Sequence, residues 1–214
     1  MDIQEVIVNL PALMIAVIFH EYAHGWVAYR MGDHTAKESG RLTLNPIPHI
    51  DLFGTLLLPG LLMLAGSPIL FGWAKPVPIN PLRFKNLRLG TFMVSLAGIA
   101  MNLWLALLFA SLYRLIREGY LNFLSDEILI PLALFLGKGV LINLVLALFN
   151  AIPIPPLDGS RAVMSFFSVK YWELFYRFEM YGFLIITLLL FTGLLGRIIF
   201  PPILFLWNYL IGRV

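Results

Sequence analysis

Residues 90–113 read GTFMVSLAGIAMNLWLALLFASLY, a stretch without a single charge. A helix needs about 20 mostly apolar residues to cross the hydrocarbon of a bilayer. The stretch therefore reads as a transmembrane helix, and the rest of the chain can be read outward from it. Ile128 to Phe149 is a second span, interrupted by Lys138. Met180 to Gly196 is uncharged, and so is Ile198 to Gly212, which carries Pro201 and Pro202. On the N-terminal side, Val6 to Phe19 is apolar, meets His20, Glu21 and His24, and turns apolar again up to Tyr29. Leu52 to Ala74 is uncharged but broken by Gly54, Pro59, Gly60, Gly66, Pro68 and Gly72.

Composition agrees. Of 214 residues 60% are hydrophobic and 13% charged, against about 25% charged in a soluble domain. This excludes an ordinary soluble protein, and the high hydrophobicity excludes intrinsic disorder. Cysteine is absent, so disulfides, thiolate metal sites and Cys nucleophiles are excluded. The net charge is +3 and no basic stripe carries interleaved aromatics, which speaks against nucleic-acid binding. The acidic N-terminus, MDIQEV, lacks the basic n-region of a signal peptide. No internal repeat or low-complexity tract occurs, and the length suits one domain over 1–214. The expectation is an all-α polytopic membrane protein with about five to six transmembrane helices.

Between the spans lie irregular stretches. Thr35 to Asp51 is polar with Pro46 and Pro48 as turn signals. Lys75 to Asn86, with Pro76, Pro78 and Pro81, is predicted to be extended. Ser160 to Phe178 mixes aromatics with Arg161, Lys170, Glu173 and Arg177, a pattern predicted to form an interfacial amphipathic helix. Asp33 and His34 read as a solvated helix end.

Five residues carry the chemistry: His20-Glu21-Tyr22-Ala23-His24. Positions i and i+4 share a helix face. Two imidazoles so placed can bind one Zn²⁺, with the intervening Glu as general base. The bland alternative is a polar cavity lined by two His and a paired Glu. Ionisable groups inside a span are costly and usually mark function, which favours the metal. Catalytic zinc needs a third protein ligand and an open position. The other His are His34 and His49, so carboxylates enter. Asp158 stands out, because it follows a proline-rich break, NAIPIPPLDG (150–159), at the end of an apolar helix. Broken backbone at membrane depth is tolerated where it is buried in protein or lines a wet cavity. A plain helix-ending turn with Asp158 as N-cap fits the spacing equally well.

HEYAH, SLAGIAMNL (95–103) and NAIPIPPLDG, in this order, resemble the site-2 protease family of intramembrane zinc metalloproteases. GRLTLNPIPHIDLFGTLLLP (40–59) and FGWAKPVPINP (71–81) resemble its compact prokaryotic branch, which lacks PDZ and CBS domains. The resemblance runs from about Ile18 to about Gly193. It implies one Zn²⁺ per chain held by His20, His24 and Asp158, with Glu21 as general base to a zinc-activated water. It implies substrate contacts at Asn102, which matches the Asn of the family's Gly-Pro-Leu-Ala-Asn segment and could instead bridge two spans by hydrogen bonds, and at Asn150. Asn150 has a second option, the freed carbonyls of the break. This chain departs from the pattern at Ile99, where the family has Pro. The implied activity is hydrolysis of a peptide bond in or near the transmembrane helix of a membrane-anchored substrate. A catalytically silent relative that binds membrane helices as a scaffold is the alternative. Thr43–Pro46 and Trp73–Pro78 are candidates to pair with an unwound substrate as an added strand, and Gly72 could let the second of these move as a gate. His49 and Asp51 could orient a ligand, or His49 could be a surface residue.

A parity argument gives topology. If His24, near the end of the first span, and Asp158, after the Ile128–Phe149 span, bind one metal, both ends lie on one side. Leu52–Ala74 should then not cross fully, and reads as a re-entrant or shallow element. The site side carries Arg30, Lys37, Arg41, Lys75, Arg83, Lys85 and Arg88, and the other side Arg114 and Arg117. Positive residues favour the cytoplasm. The expectation is a multi-pass protein of the prokaryotic plasma membrane with the site toward the cytoplasm. Lys138 falls mid-span, facing the bundle interior or marking a later span start near Val140. A transporter would show inverted repeats. Serine catalysis would need a His beyond His49. Aspartyl catalysis would need a partner for Asp158.

Overall fold

The computed structural model describes residues 3–57, 61 and 74–212. The described residues form helices and no strand. We number the helices α1 (Ile3–Met31), α2 (Thr35–Glu38), α3 (Leu87–Arg117), α4 (Asp126–Asn150), α5 (Asp158–Met164), α6 (Trp172–Phe191) and α7 (Leu194–Ile211). Among them, five are long and apolar enough to cross a membrane: α1, α3, α4, α6 and α7. The chain is thus a multi-pass helical membrane protein. The predicted re-entrant element and Gly72 fall mostly in 58–60 and 62–73, outside the described residues. Its first part, Leu52–Leu57, is a π-helical turn.

The chain α1–α3–α4 forms the centre, each helix packed on the other two. α7 closes the core from the side of α4, where Ala106, Phe109 and Ala110 of α3 meet Leu136, Val140 and Leu144 of α4 and Ile203 and Ile211 of α7. Small residues set the helix spacing, as expected where lipid removes the hydrophobic drive between helices. A Cβ on Gly139 would run into the Phe109 ring. At the far end, Arg114 donates to Tyr209 O at 2.6 Å and Arg117 to Ile211 O. These two cations satisfy the last carbonyls of α7, where the helix dipole is negative.

Four expectations change. Residues 160–178 are not one helix: α5 ends at Met164, and 172–178 are the first turns of α6. No Gly or Pro interrupts 172–181, and the Arg177–Glu173 pair at 2.7 Å lies along the helix, as i,i+4 charges do. The last two spans divide at Gly193 rather than at Arg197, because Gly193 takes the left-handed conformation (φ 69°) that side chains resist. Asp33 is not solvated. It is fully buried and accepts from Thr35 N, Thr35 Oγ1 and Asn80 N, while its neighbour His34 is exposed. Of Lys75 to Asn86, predicted to be extended, 75–80 takes no helix, but Pro81–Arg83 is a 3-10 turn whose Leu82 N donates to Asn80 Oδ1. Lys138 lies half-buried within a continuous α4.

Gly139→Ala is expected to lower the thermal midpoint in detergent, by overpacking worth about 1–3 kcal/mol. Gly137→Ala, whose Cβ would meet nothing nearer than 3.8 Å, is expected to hold or raise it. Equal midpoints for the two variants would contradict this packing.

Candidate metal centre

His20 and His24 stand one turn apart on α1 and are buried to 7% and 6% exposure. Asp158 opens α5, directly after the turn 151–157 that ends α4. The proline-rich break brings the carboxylate back over the α1 face. His20 Nε2 and His24 Nε2 are 2.9 Å apart, and Asp158 Oδ2 lies 3.2 and 3.1 Å from them. All three groups can offer one atom to a common point.

The opposite ring nitrogens are tied down. His20 Nδ1 donates to Asn102 Oδ1 at 2.6 Å, and His24 Nδ1 donates to Val94 O at 2.7 Å. Both acceptors sit on α3. Each bond places the proton on Nδ1 and leaves the Nε2 lone pair bare, which is the ligand form of a histidine. Two bare lone pairs and a carboxylate oxygen about 3 Å apart repel one another unless a cation lies among them. Donors on a tetrahedral ion at about 2.0–2.1 Å stand about 3.3 Å from each other. The observed spacings and the N,N,O donor set fit zinc.

Gly98 makes the site possible. A Cβ there would stand 2.5 Å from both His20 Cε1 and His24 Nε2, so only glycine lets α3 approach this closely. α3 continues as a regular helix through Ile99, where the family pattern has Pro. Asn102 is fully buried and its amide is fully engaged: Nδ2 donates to Ala16 O (3.0 Å) and to Asn143 Oδ1 (2.8 Å), besides the bond from His20. It thus bridges α1 and α4 by hydrogen bonds, the second of its two expected roles.

A cavity of about 390 Å³ opens beside the cluster, lined among others by Glu21, Val77, Asn150, Asp158 and Arg161. Glu21 is half-buried and its Oε2 accepts from Val77 N at 2.7 Å. Asn150 Nδ2 donates to Leu146 O one turn back in its own helix. It answers the carbonyls of α4 rather than those of the break. Arg161, one turn after Asp158, pairs with Glu179 of α6 at 3.2 Å. His49 is not a surface residue. It is buried and donates from Nε2 to Thr43 O, and Asp51 caps the Leu52–Leu57 turn through Phe53 N and Gly54 N. Thr43–Pro46 folds back on itself through Asn45 N to Thr43 Oγ1. Trp73 lies outside the described residues.

Sequence reading passed over Gly98, Asn143 and Val77. Gly98 lay inside a quoted motif without a role. A second buried Asn on a facing span was the available signal for Asn143. The bond from Val77 is made by backbone and has no signal in residue type.

The fold and the cluster define a multi-pass membrane protein built around a candidate zinc site. Over 196 residues the chain is 40% identical to "Putative zinc metalloprotease YwhC" of Bacillus subtilis, covering 90% of this chain and 85% of that protein. Over 204 residues it is 30% identical to "Putative zinc metalloprotease Rip2" of Mycolicibacterium smegmatis, covering 95% and 74%. No protein-family model matches the chain, and no solved structure matches it significantly. The chain belongs to the site-2 protease family of zinc metalloproteases.

Gly98→Ala is expected to weaken zinc retention more than Asn102→Ala, for which about 10- to 100-fold is the usual cost of losing a partner of a metal-binding His. Competition with a zinc chelator, followed by metal analysis, checks the order. Parent-like retention in Gly98→Ala would contradict the close approach of α3.

Proposed function

We propose that the chain is an intramembrane zinc metalloprotease, which hydrolyses a peptide bond in or near the transmembrane helix of a membrane-anchored substrate. The observation that carries this reading is the convergence of His20, His24 and Asp158, beside a cavity that Glu21 also lines. His20, His24 and Asp158 would hold one Zn²⁺ per chain. Bound there, zinc supplies Lewis acidity, which makes water a nucleophile near neutral pH and polarises a carbonyl.

The remaining steps belong to the protein's own groups. Glu21 takes a proton from the attacking water and delivers it to the leaving amine. Asn102 and Val94 O keep the two imidazoles in the ligand tautomer. Asn150 lines the cavity, and the donor and acceptor it does not use on Leu146 O are offered to substrate backbone. The substrate helix hides its carbonyls in i→i−4 bonds, so it must unwind locally before attack. Unwound backbone in lipid needs new partners, which the polar side chains among the cavity's lining, Asn150 and Arg161 included, supply. In this reading the protein sits in the plasma membrane of a prokaryote, with the site toward the cytoplasm. The lysines and arginines on the site side of α1 and α3 support that orientation.

Glu21→Gln, purified in detergent, is expected to keep its zinc and to lose cleavage of a single-span model substrate by at least about 10²-fold. Equal cleavage by parent and variant would reject Glu21 as base. The chain has no cysteine, so orientation is checked by introduced ones. In intact cells Asn80→Cys is expected to resist a membrane-impermeant thiol reagent and Glu118→Cys to react. The reverse pattern would place the site outside.

A further inference from the structure

We infer that the extended segment 75–80 is a strap that positions the general base, through the backbone N–H of Val77, and that buried Asp33 and Arg41 hold the strap in place. The inference rests on the protease reading above and extends it to residues outside the metal cluster.

The bond from Val77 N to Glu21 Oε2 measures 2.7 Å, the length of a charge-assisted hydrogen bond. Pro76 and Pro78 flank Val77 and carry no N–H. Val77 is therefore the one backbone donor of residues 76–78, and it points at the carboxylate. The same prolines keep the segment extended. The Val77 side chain is buried at 6% exposure, on the α1 face that Gly25 leaves open. A Cβ on Gly25 would stand 3.0 Å from Val77 Cγ1.

Both ends of the strap are tethered to the polar stretch that follows α1. Arg41 donates from Nη2 to Lys75 O at 2.7 Å and to Pro76 O at 3.2 Å. Lys75 N donates to His49 O at 2.9 Å. At the other end, Asn80 N donates to Asp33 Oδ2 at 2.6 Å. Asp33 is 0% and Arg41 9% exposed. Charged residues are almost never buried so deeply unless something holds them, and here the shared object is one strap. Val77, Asp33 and Arg41 are not cluster ligands. Their reach into the reaction is through the Glu21 carboxylate, whose Oε2 is fixed by Val77 while the side chain faces the cavity. A general base must lie within hydrogen-bond reach of its proton, and misplacement by about 1 Å can cost about 10²-fold.

The test uses the full zinc-loaded chain and a single-span model substrate. Val77→Pro deletes the N–H and leaves an extended backbone. It is expected to lower kcat by about 10- to 100-fold, with KM, zinc content and thermal midpoint close to the parent's. Val77→Ala keeps the N–H and is expected to recover at least about tenfold over Val77→Pro. Asp33→Asn weakens the tether to Asn80 and is expected to lower kcat with KM and zinc held, while amide exchange across 74–80 speeds up. Parent-like kcat in Val77→Pro would overturn the inference. Val77→Ala as slow as Val77→Pro would also overturn it, since side-chain packing would then be responsible. If Val77→Pro loses zinc or stability, Asp33→Asn decides: faster exchange with unchanged kcat overturns the inference. Glu21→Gln run alongside separates the two claims. Undiminished cleavage in that variant strikes the protease reading, whereas its loss with full activity in Val77→Pro strikes the strap alone.

Discussion

Three electron-rich atoms, His20 Nε2, His24 Nε2 and Asp158 Oδ2, stand about 3 Å from one another inside a helical bundle. Left to themselves they repel, and much of the structure around them consists of what holds them there. α1 supplies two of them on one face because 3.6 residues make a turn. α3 comes close enough to grip both imidazoles from behind, which it can do only because position 98 is glycine. Asn102 and Val94 O then fix the protons on the far nitrogens. Asn143 and Ala16 O fix Asn102 in turn, so three helices are joined through one amide. The prolines after α4 stop that helix and let Asp158 close the triangle from α5.

This dependence explains what the sequence makes legible. The spans show because a bilayer imposes a length and an apolar composition that few other folds need. The histidines show because i,i+4 spacing and an intervening Glu have one strong chemical use. Asp158 stands out by its proline-rich break, which an ordinary helix-ending turn explains equally well, and only the family resemblance makes it a ligand. Asn102 was visible as a polar residue in a span, but its direction was not. Residue type gives hydrogen-bonding capacity, and only the packing of α3 on α1 turns that capacity toward His20. Asp33 read as solvated because acidic residues at helix ends usually are. Its partner, Asn80 N, lies 47 positions away, and no local pattern announces so distant a backbone bond. The pattern of 160–178 suggested one helix, whereas the fold divides the stretch between α5 and α6.

The polar stretch after α1 ties the site to the loops. Arg41, His49 and Asp33 carry few of the features that mark function, and each bonds to backbone at one end or the other of 75–80. The result is a layered arrangement. Metal-ligand candidates sit on helices, the partner of Glu21 sits on an extended strap, and the groups holding the strap sit in a loop. Rigid helices suit ligands that must converge to a fraction of an ångström. A strap without N–H groups at 76 and 78 suits a carboxylate that needs one donor and must leave the rest of the cavity open.

The central claim is that these three side chains form one zinc site. X-ray absorption at the zinc edge of the purified protein reads it most directly. The account expects about one zinc per chain in a shell of nitrogen and oxygen at about 2.0–2.2 Å with two imidazoles, and one imidazole fewer in His24→Ala. A protein that binds no zinc, or whose zinc shell is unchanged by His24→Ala, would contradict it.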